Sequence, residues 1–321
     1  MLDVINLVLP LFGLVFLGYV SGRVAGLPLA GLDWLNFFVV YVALPAMFFR
    51  LLSRTPLAEF ANFSFIAASI FATFMVFALA FALAGYANGG KVGEATIQGF
   101  AASYGNIGYM GPPLAIGAFG PAAGVPVALI FCFENAMHFT LAPMLMAYRG
   151  GSDRTGSELA AQILRNILTH PFILATIAGV AAAAIRFEPP LAAARLLDIL
   201  AAGAAPCALF AMGVTAALRP LRRVPTELVY LMPMKLLFHP LAMLVAMSVA
   251  ARGAPAVWVE TAILLAALPS ATNVFVLAQQ YGVWQERASS AVVLSTAAAV
   301  FTVTAYVYLA RQGFIAAFLN G

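Results

Sequence analysis

The chain has 321 residues, of which 64% are hydrophobic and only 9% charged, with a formal net charge of +4. A soluble domain carries about 25% charged residues, so this composition excludes an ordinary soluble protein. Long apolar runs separated by short polar clusters are typical of membrane-spanning helices, not of the ten-residue alternation of a transmembrane β-barrel. The sequence therefore predicts an all-α integral membrane protein. Its basic residues report orientation in the bilayer, so no nucleic-acid partner is implied.

Ten hydrophobic segments follow one another along the chain. Five cover residues 4–20, 35–52, 63–86, 95–119 and 125–148, and five more cover residues 167–185, 191–218, 228–251, 257–281 and 288–310. The fourth segment is interrupted by glycines and prolines over residues 103–113, and the ninth is interrupted at Pro269. A polar stretch at residues 149–158 separates the two sets of five.

The two sets resemble each other weakly and predict an internal repeat. Pro45 in the second segment corresponds to Pro206 in the seventh, and Asn106 in the fourth corresponds to Asn273 in the ninth. Because five is an odd number, the second set must enter the membrane from the opposite side, which makes the repeat inverted. We therefore expect a first five-helix repeat at 1–150, a short cytosolic linker at 151–166 and a second five-helix repeat at 167–321.

Orientation follows from the Lys and Arg residues of the loops. If the N-terminus is outside, the inner side holds nine of them and the outer side six. The inner ones are Arg23, Lys91, Arg149, Arg154, Arg165, Arg219, Arg222, Arg223 and Arg287, and the outer ones are Arg50, Arg54, Arg186, Arg195, Arg252 and Arg311. This bias predicts that both termini lie outside.

The two interrupted segments predict a binding site. A broken membrane helix places unsatisfied N–H groups and a partial positive charge near the bilayer centre, and such ends attract anions. Asn106 and Asn273 stand at matching positions, and each amide can donate to a carboxylate. Glycine and proline also kink membrane helices for packing alone, but two interruptions at matching positions favour a substrate site. The other candidates around this site are Ser103, Gly105, Pro112, Pro113, Pro269, Thr272 and, on the second segment, Pro45.

Three stretches resemble the auxin efflux carrier family, which includes plant PIN-type auxin carriers and bacterial malonate and malate permeases. They are residues 38–45 (FVVYVALP), 105–113 (GNIGYMGPP) and 268–273 (LPSATN). The resemblance covers essentially the whole chain. It implies a fold like that of bile-acid sodium symporters, in which helices 1, 2, 6 and 7 form a scaffold and helices 3–5 and 8–10 form a transport core. It also implies a bacterial inner-membrane protein and a homodimer through the scaffold.

The same resemblance implies roles for individual residues. Asn106 and Asn273 match the crossover asparagines that contact the substrate carboxylate in PIN-type carriers, and Pro269 matches a proline that sets the crossover. Pro112 and Pro113 match less closely, because this sequence doubles the proline and places it several residues after the asparagine.

Four ionisable residues lie inside hydrophobic segments, where charge is costly and usually functional. Glu134 and His138 are four residues apart on the fifth segment, and Lys235 and His239 are four apart on the eighth, so each pair shares a helix face. They predict a Glu134–Lys235 pair, a proton relay through a histidine, or a lysine that balances an anionic substrate. The alternatives are a Lys235 that snorkels to the inner surface and a purely structural partner for Glu134.

These observations predict a secondary transporter for a small organic anion, an auxin-like monocarboxylate or a dicarboxylate such as malonate. It would work by alternating access, and the resemblance implies an elevator-like motion. One alternative is a sodium-coupled bile-acid-like symporter, with oxygen ligands from Ser103, Ser270, Thr272 and unwound carbonyls. Another is an intramembrane enzyme with Glu134, His138 and His239 as its acid–base groups. No nucleotide-binding loop, nucleophile elbow or metal-ligand cluster is present, so neither catalysis nor a cofactor or metal is expected.

Overall fold

The computed structural model describes residues 2–26, 28–150, 156–218 and 224–315, and the regular secondary-structure elements of these residues are all helices. Short 3₁₀ and π-helical turns link some of the α-helices. The α-helices of these ranges are α1 (Leu2–Ala25), α2 (Asp33–Phe38), α3 (Leu44–Leu52), α4 (Leu57–Phe60), α5 (Phe63–Ala87), α6 (Val92–Ser103), α7 (Ile107–Phe119), α8 (Gly124–Gly150), α9 (Gly156–Leu168), α10 (Pro171–Ala184), α11 (Leu191–Leu218), α12 (Leu228–Pro233), α13 (His239–Ala250), α14 (Ala256–Ala267), α15 (Thr272–Gln280) and α16 (Gln285–Arg311).

Seven spans of the described residues are long and apolar enough to cross a membrane. They are Val8–Ala25, Ala30–Leu52, Leu57–Ala87, Pro121–Ala147, Leu191–Leu218, Leu228–Ala250 and Gln285–Arg311. The pair α9 and α10, bent by 61°, brings the number to eight if it forms one span. The prediction of a multi-pass, all-helical membrane protein is therefore confirmed.

The two predicted interrupted segments each consist of two short helices. α6 and α7 have 12 and 13 residues, and α14 and α15 have 12 and 9. Each is too short to cross a bilayer alone, which takes about 20 residues. The ten-helix inverted repeat requires each of these pairs to count as one broken span, and it stays a prediction.

The predicted cytosolic linker is partly helical. Residues 156–168 form α9, with Glu158 in its first turn and Arg165 in its last. These charges complement the helix dipole, which is why a polar stretch can form a helix here. Residues 151–155 of the linker, and with them Arg154, lie outside the described residues, as do Arg219, Arg222 and Arg223.

Several basic residues that the orientation argument placed in loops belong to helices. Arg50 lies in α3 and is only 9% exposed, and Arg195 lies in α11. The Arg50 guanidinium donates to both carboxylate oxygens of Asp198 at 2.6 and 2.7 Å. Arg50 is thus paired with Asp198 of α11. A paired helix residue carries less information on orientation than a basic loop residue does. The external position of both termini stays a prediction.

The contacts of the described residues divide the chain into two compact units. The first consists of residues 1–63, 108–132 and 168–219. Its centre is the packing of α1 on α11. A Cβ placed on Gly18 would lie 2.2 Å from the Phe210 carbonyl oxygen, and one on Gly213 would lie 1.9 Å from that of Val15. The two helices therefore meet backbone to backbone, which is how small residues promote helix contact in membranes.

The second unit consists of residues 64–107, 133–167 and 220–321. Its core is a cluster of buried aromatic and aliphatic side chains on α5, α6, α8, α12, α13, α15 and α16 and on the turns between them. Phe77, Phe100 and Trp284, which directly precedes α16, are among its largest members. This cluster fixes the ends of α6 and α15. The family resemblance also predicts two parts, a scaffold and a transport core. That assignment of the helices stays a prediction.

Two π-helical turns precede prolines. Residues Val39–Ala43 lead into α3 with Pro45 in its first turn, and Met234–Phe238 lead into α13 with Pro240 in its first turn. A proline ring clashes with the carbonyl four residues earlier and has no N–H to offer it. Widening the preceding turn relieves this clash, and such wide turns are frequent at functional sites. The second π-turn contains Lys235.

Candidate functional site

The two helix interruptions pair with each other in the second unit. α6 ends at Ser103 and α14 ends at Ala267, and each is followed by extended backbone. Gly105 and Ser270 form an antiparallel bridge, in which the Asn106 N–H donates to the Pro269 carbonyl at 2.8 Å. The Ala271 N–H donates to the Tyr104 carbonyl at 2.9 Å. Each interruption thus supplies the hydrogen bonds that the other lacks, as buried backbone at membrane depth requires.

Side chains cap the helix ends that face this crossover. The Ser270 hydroxyl donates to the Ala101 carbonyl of α6 at 2.6 Å. The Lys235 ammonium donates to the Ala266 carbonyl of α14 at 2.6 Å. A cation at this position neutralises the partial negative charge at the C-terminal end of α14. In its protonated form Lys235 places a positive charge at the crossover, and its side chain has no exposed surface.

The backbone approach at Gly105 leaves no room for a side chain. A Cβ on this residue would lie 2.9 Å from the Leu265 carbonyl oxygen and 3.5 Å from the Lys235 ammonium nitrogen. The glycine predicted for this site is therefore required by close approach of α14. The interruption itself is narrower than predicted, because α7 begins at Ile107 and continues through Pro112 and Pro113.

The two predicted asparagines differ in accessibility. Asn106 is only 2% exposed, whereas Asn273 is exposed. Asn273 is the second residue of α15, and no side chain caps the helix at Ala271. The amide of Asn273 and the first N–H groups of α15 therefore lie together at an open helix N-terminus, which is a favourable position for an anion.

Tyr104 and Asn135 belong to the same constellation, although sequence reasoning did not single them out. The Asn273 Nδ2 donates to the Tyr104 hydroxyl at 2.7 Å, and that hydroxyl donates to Asn135 Oδ1. Tyr104 and Asn135 are 3% and 2% exposed. The triad fixes one hydrogen of the Asn273 amide and leaves its other hydrogen and its oxygen for a ligand. The sequence feature that could have pointed to Asn135 is a group of three polar residues, Glu134, Asn135 and His138, in an otherwise apolar helix.

The remaining predicted residues occupy different places. Ser103 is fully buried and its hydroxyl donates to the Gly99 carbonyl at 2.9 Å, so it stabilises the last turn of α6. Thr272 is half-buried in the first turn of α15. Pro45, Pro112 and Pro113 belong to the first unit, where Pro112 is buried and the other two are half-buried.

The four predicted ionisable residues form one buried network in the second unit. Ser69 and Thr73 of α5 donate to Glu134 Oε1 at 2.7 and 2.8 Å. Thr73 Oγ1 lies 3.1 Å from His239 Nε2, and His239 Nδ1 lies 3.1 Å from the Lys235 ammonium. Glu134 and Lys235 are thus connected through Thr73 and His239. Lys235 does not snorkel to a surface, because its whole side chain is buried.

His138 connects this network to the triad. Its ring stacks on the ring of Tyr104, with centroids 4.0 Å apart and an interplanar angle of 6°. It also meets Phe100 edge to face at 5.4 Å. His138 lies one turn after Glu134 on the same face of α8. This helix therefore joins the ionisable network to the triad of Asn273, Tyr104 and Asn135.

Comparison with known proteins identifies relatives of this chain. Residues 3–307 match a family described as "Membrane transport protein". A protein of Rhizobium meliloti (strain 1021), named "Putative malonate transporter", is 56% identical over 313 residues, which is 98% of each chain. The residues of this chain that match the family, 3–307, extend over both interruptions and the four buried ionisable residues.

Proposed function

Because the chain belongs to this membrane transport protein family, the auxin efflux carrier family that its sequence resembles, we propose that it is a secondary transporter for a small dicarboxylate such as malonate. The family and the relative are transporters, so the intramembrane enzyme considered from the sequence is set aside. The relative's name is the reason for choosing malonate over an auxin-like monocarboxylate.

The observation that carries the proposal is the open N-terminus of α15 beside an exposed Asn273 amide. A carboxylate placed there accepts from the free hydrogen of Asn273 and from the first N–H groups of α15. Asn106 is buried, so its contribution is to hold the crossover and not to meet the incoming anion. The sequence predicts substrate contacts from both asparagines, and the exposure of Asn273 is our reason for proposing it as the first contact.

Lys235 adds the electrostatic part. Its ammonium is buried beside Gly105 and is directed at the Ala266 carbonyl, so it lies behind the crossover and not in solvent. A positive charge in a medium of low dielectric acts over a longer range than one in water. It therefore favours an anion at the crossover without forming a direct salt bridge that would hold the substrate too tightly.

We further propose that the protein works by alternating access in an elevator-like manner, with ten membrane helices in an inverted repeat. The division of the chain into two compact units, with the crossover inside the second, supports a transport core that moves as a body. The remaining parts of the proposal are a bacterial inner-membrane location, both termini in the periplasm and a homodimer through the scaffold.

Thermal unfolding of the purified protein in detergent tests the site. Malonate should raise the melting temperature of the wild-type protein, and Asn273→Ala should weaken the effect by ten- to a hundredfold in concentration, the value of one hydrogen bond to a charged group. Gln280→Ala, which removes an exposed amide from the other end of α15, is the matched control. Equal stabilisation of wild type and Asn273→Ala would contradict the site.

The same titration separates the sodium-coupled alternative. Malonate stabilisation should be unchanged when choline replaces sodium in the buffer, because the groups proposed to bind the anion are N–H donors, which do not coordinate a cation. Stabilisation that requires sodium would favour the symporter alternative. Asn106→Ala is expected to lower the melting temperature itself, since Asn106 is buried at the crossover.

A further inference from the structure

Glu134 has an unusual environment for a buried carboxylate. The residue is 2% exposed, and its Oε1 accepts hydrogen bonds from Ser69 and Thr73. Its Oε2 has no hydrogen-bond partner within the described part of the chain. One oxygen is therefore held in place as a carboxylate oxygen, and the other is left without a protein donor.

This asymmetry suits a group that gains and loses a proton. An ionised carboxylate oxygen that is buried without a donor is costly, and a proton on that oxygen removes the charge. The Ser69 and Thr73 hydroxyls stabilise the ionised form through Oε1. The two forms of Glu134 are thus balanced against each other, whereas a purely structural carboxylate would have both oxygens paired.

The first connection from Glu134 to the crossover is a chain of hydrogen bonds. Because the single hydroxyl hydrogen of Thr73 is donated to Glu134, Thr73 accepts from His239 Nε2–H. His239 Nδ1 is then the acceptor for Lys235, whose ammonium also donates to the Ala266 carbonyl. A change of charge on Glu134 therefore acts on the ammonium that caps α14.

The second connection passes through α8. His138 lies one turn after Glu134 and stacks on Tyr104, which holds the Asn273 amide through its hydroxyl. The titratable groups of the network and the triad are, by element, Glu134 and His138 on α8, Lys235 in the second π-turn, His239 on α13, and Tyr104 directly after α6. α5 contributes only the uncharged Ser69 and Thr73 to the network.

We propose that Glu134 is the proton-binding group of a malonate–proton symport and that Lys235 transmits its state to the crossover; this inference rests on the proposed function. With Glu134 ionised and Lys235 charged, the network is neutral. When Oε2 takes a proton from a hydronium ion on one side of the membrane, an O–H bond forms, water is released and the network gains one positive charge. That charge favours the anion, and the anion favours the proton by the same factor. Release of the anion on the other side returns the proton to water.

Two sets of proteoliposomes test this inference with radiolabelled external malonate: vesicles without internal malonate report gradient-driven accumulation, and vesicles preloaded with unlabelled malonate report exchange. In the wild-type protein, an acidic exterior should drive malonate accumulation above equilibrium. In Glu134→Gln this gradient-driven accumulation should be lost, whereas exchange of internal for external malonate persists, because exchange needs no net proton movement. Glu260→Gln is the matched control, since Glu260 is a partly buried glutamate of α14 outside the network. It should retain gradient-driven accumulation.

Glu134→Gln that still accumulates malonate in response to the pH gradient would overturn the inference. Accumulation driven by a sodium gradient alone would do the same. If Glu134→Gln does not fold, Thr73→Val serves instead. Loss of that hydroxyl destabilises the ionised carboxylate of Glu134. The midpoint of the pH profile of malonate accumulation should therefore move to higher pH by about one unit. An unchanged midpoint would refute the role of Glu134. Absence of malonate exchange in the wild-type protein would refute the proposed substrate, and with it the symport.

Discussion

Replacing Tyr104 by phenylalanine removes one oxygen atom and with it two hydrogen bonds of the crossover, from Asn273 and to Asn135. Asn135 is 2% exposed, so the bond that it loses cannot be replaced by bulk water and costs about 1–3 kcal/mol. Asn273 is exposed and can be hydrated, which keeps its loss below about 1 kcal/mol. The expected destabilisation is about 1–4 kcal/mol, or roughly 2–8 °C in melting temperature at about 2 °C per kcal/mol for a chain of this size.

The effect on binding should be separate from this loss of stability. Without the Tyr104 hydroxyl the Asn273 amide is free to rotate, and we expect malonate affinity to fall about tenfold, which corresponds to about 1.4 kcal/mol. Tyr230→Phe is the matched control. Its hydroxyl donates to Gln98 Oε1, and Gln98 is fully buried on α6, about 9 Å before Tyr104 along the helix axis.

Thermal unfolding at several malonate concentrations measures both quantities in one experiment. Tyr104→Phe should lower both the melting temperature and the affinity, and Tyr230→Phe should lower only the melting temperature. Wild-type affinity in Tyr104→Phe would refute the reasoning that the hydroxyl positions Asn273. An equal loss of affinity in both variants would also refute it, because the effect would then come from general loosening of α6.

Two further predictions concern stability. A Cβ on Gly213 would lie 1.9 Å from the Val15 carbonyl oxygen, so Gly213→Ala should cost at least about 1–3 kcal/mol, whereas Gly13→Ala, with nothing within 4 Å, should leave the melting temperature unchanged; similar melting temperatures for both variants would contradict the close packing of α1 on α11. Burial raises the pKa of Glu227, but hydrogen bonds to it and the charge of Arg287 outweigh burial and leave the pKa below its usual value of 4.5. A lowered carboxylate pKa stabilises the fold above the usual value and loses this effect as the pH falls through the lowered pKa, so acidification from about pH 6 to pH 3 should lower the melting temperature of the wild-type protein more than that of Glu227→Gln. An identical acid response of the two proteins would show that Glu227 has no such role.

Much of the fold follows from local properties of the sequence. Apolar runs of sufficient length predict membrane helices because hydrocarbon excludes unpaired backbone groups, and glycine with proline marks where a helix stops. Asn106, Gly105, Pro269 and Asn273 were predicted for the crossover on this basis, and all four lie at it in the structure. Whether they bind substrate stays a prediction.

Other features depend on which helices pack together. In the sequence, Tyr104 is one aromatic residue among many in apolar segments. Its position between Asn273 and Asn135 is visible only in the structure, where α8 brings Asn135 and His138 against it. Lys235 reads equally well as a snorkelling or a buried lysine. The structure shows it buried in the π-turn before Pro240, with its ammonium on the Ala266 carbonyl of α14.

The sequence by itself determined that this protein is a helical membrane protein and where two of its apolar segments are interrupted, because composition, helix length and helix breaking are properties of neighbouring residues. The tertiary structure alone decided that Asn273 is open while Asn106 is buried. It also decided that Glu134 reaches Lys235 only through Thr73 and His239. Burial and hydrogen-bond partners depend on residues that are distant in sequence, such as Thr73 and His239 at 166 positions apart, and the pattern along one chain does not give the distance between them.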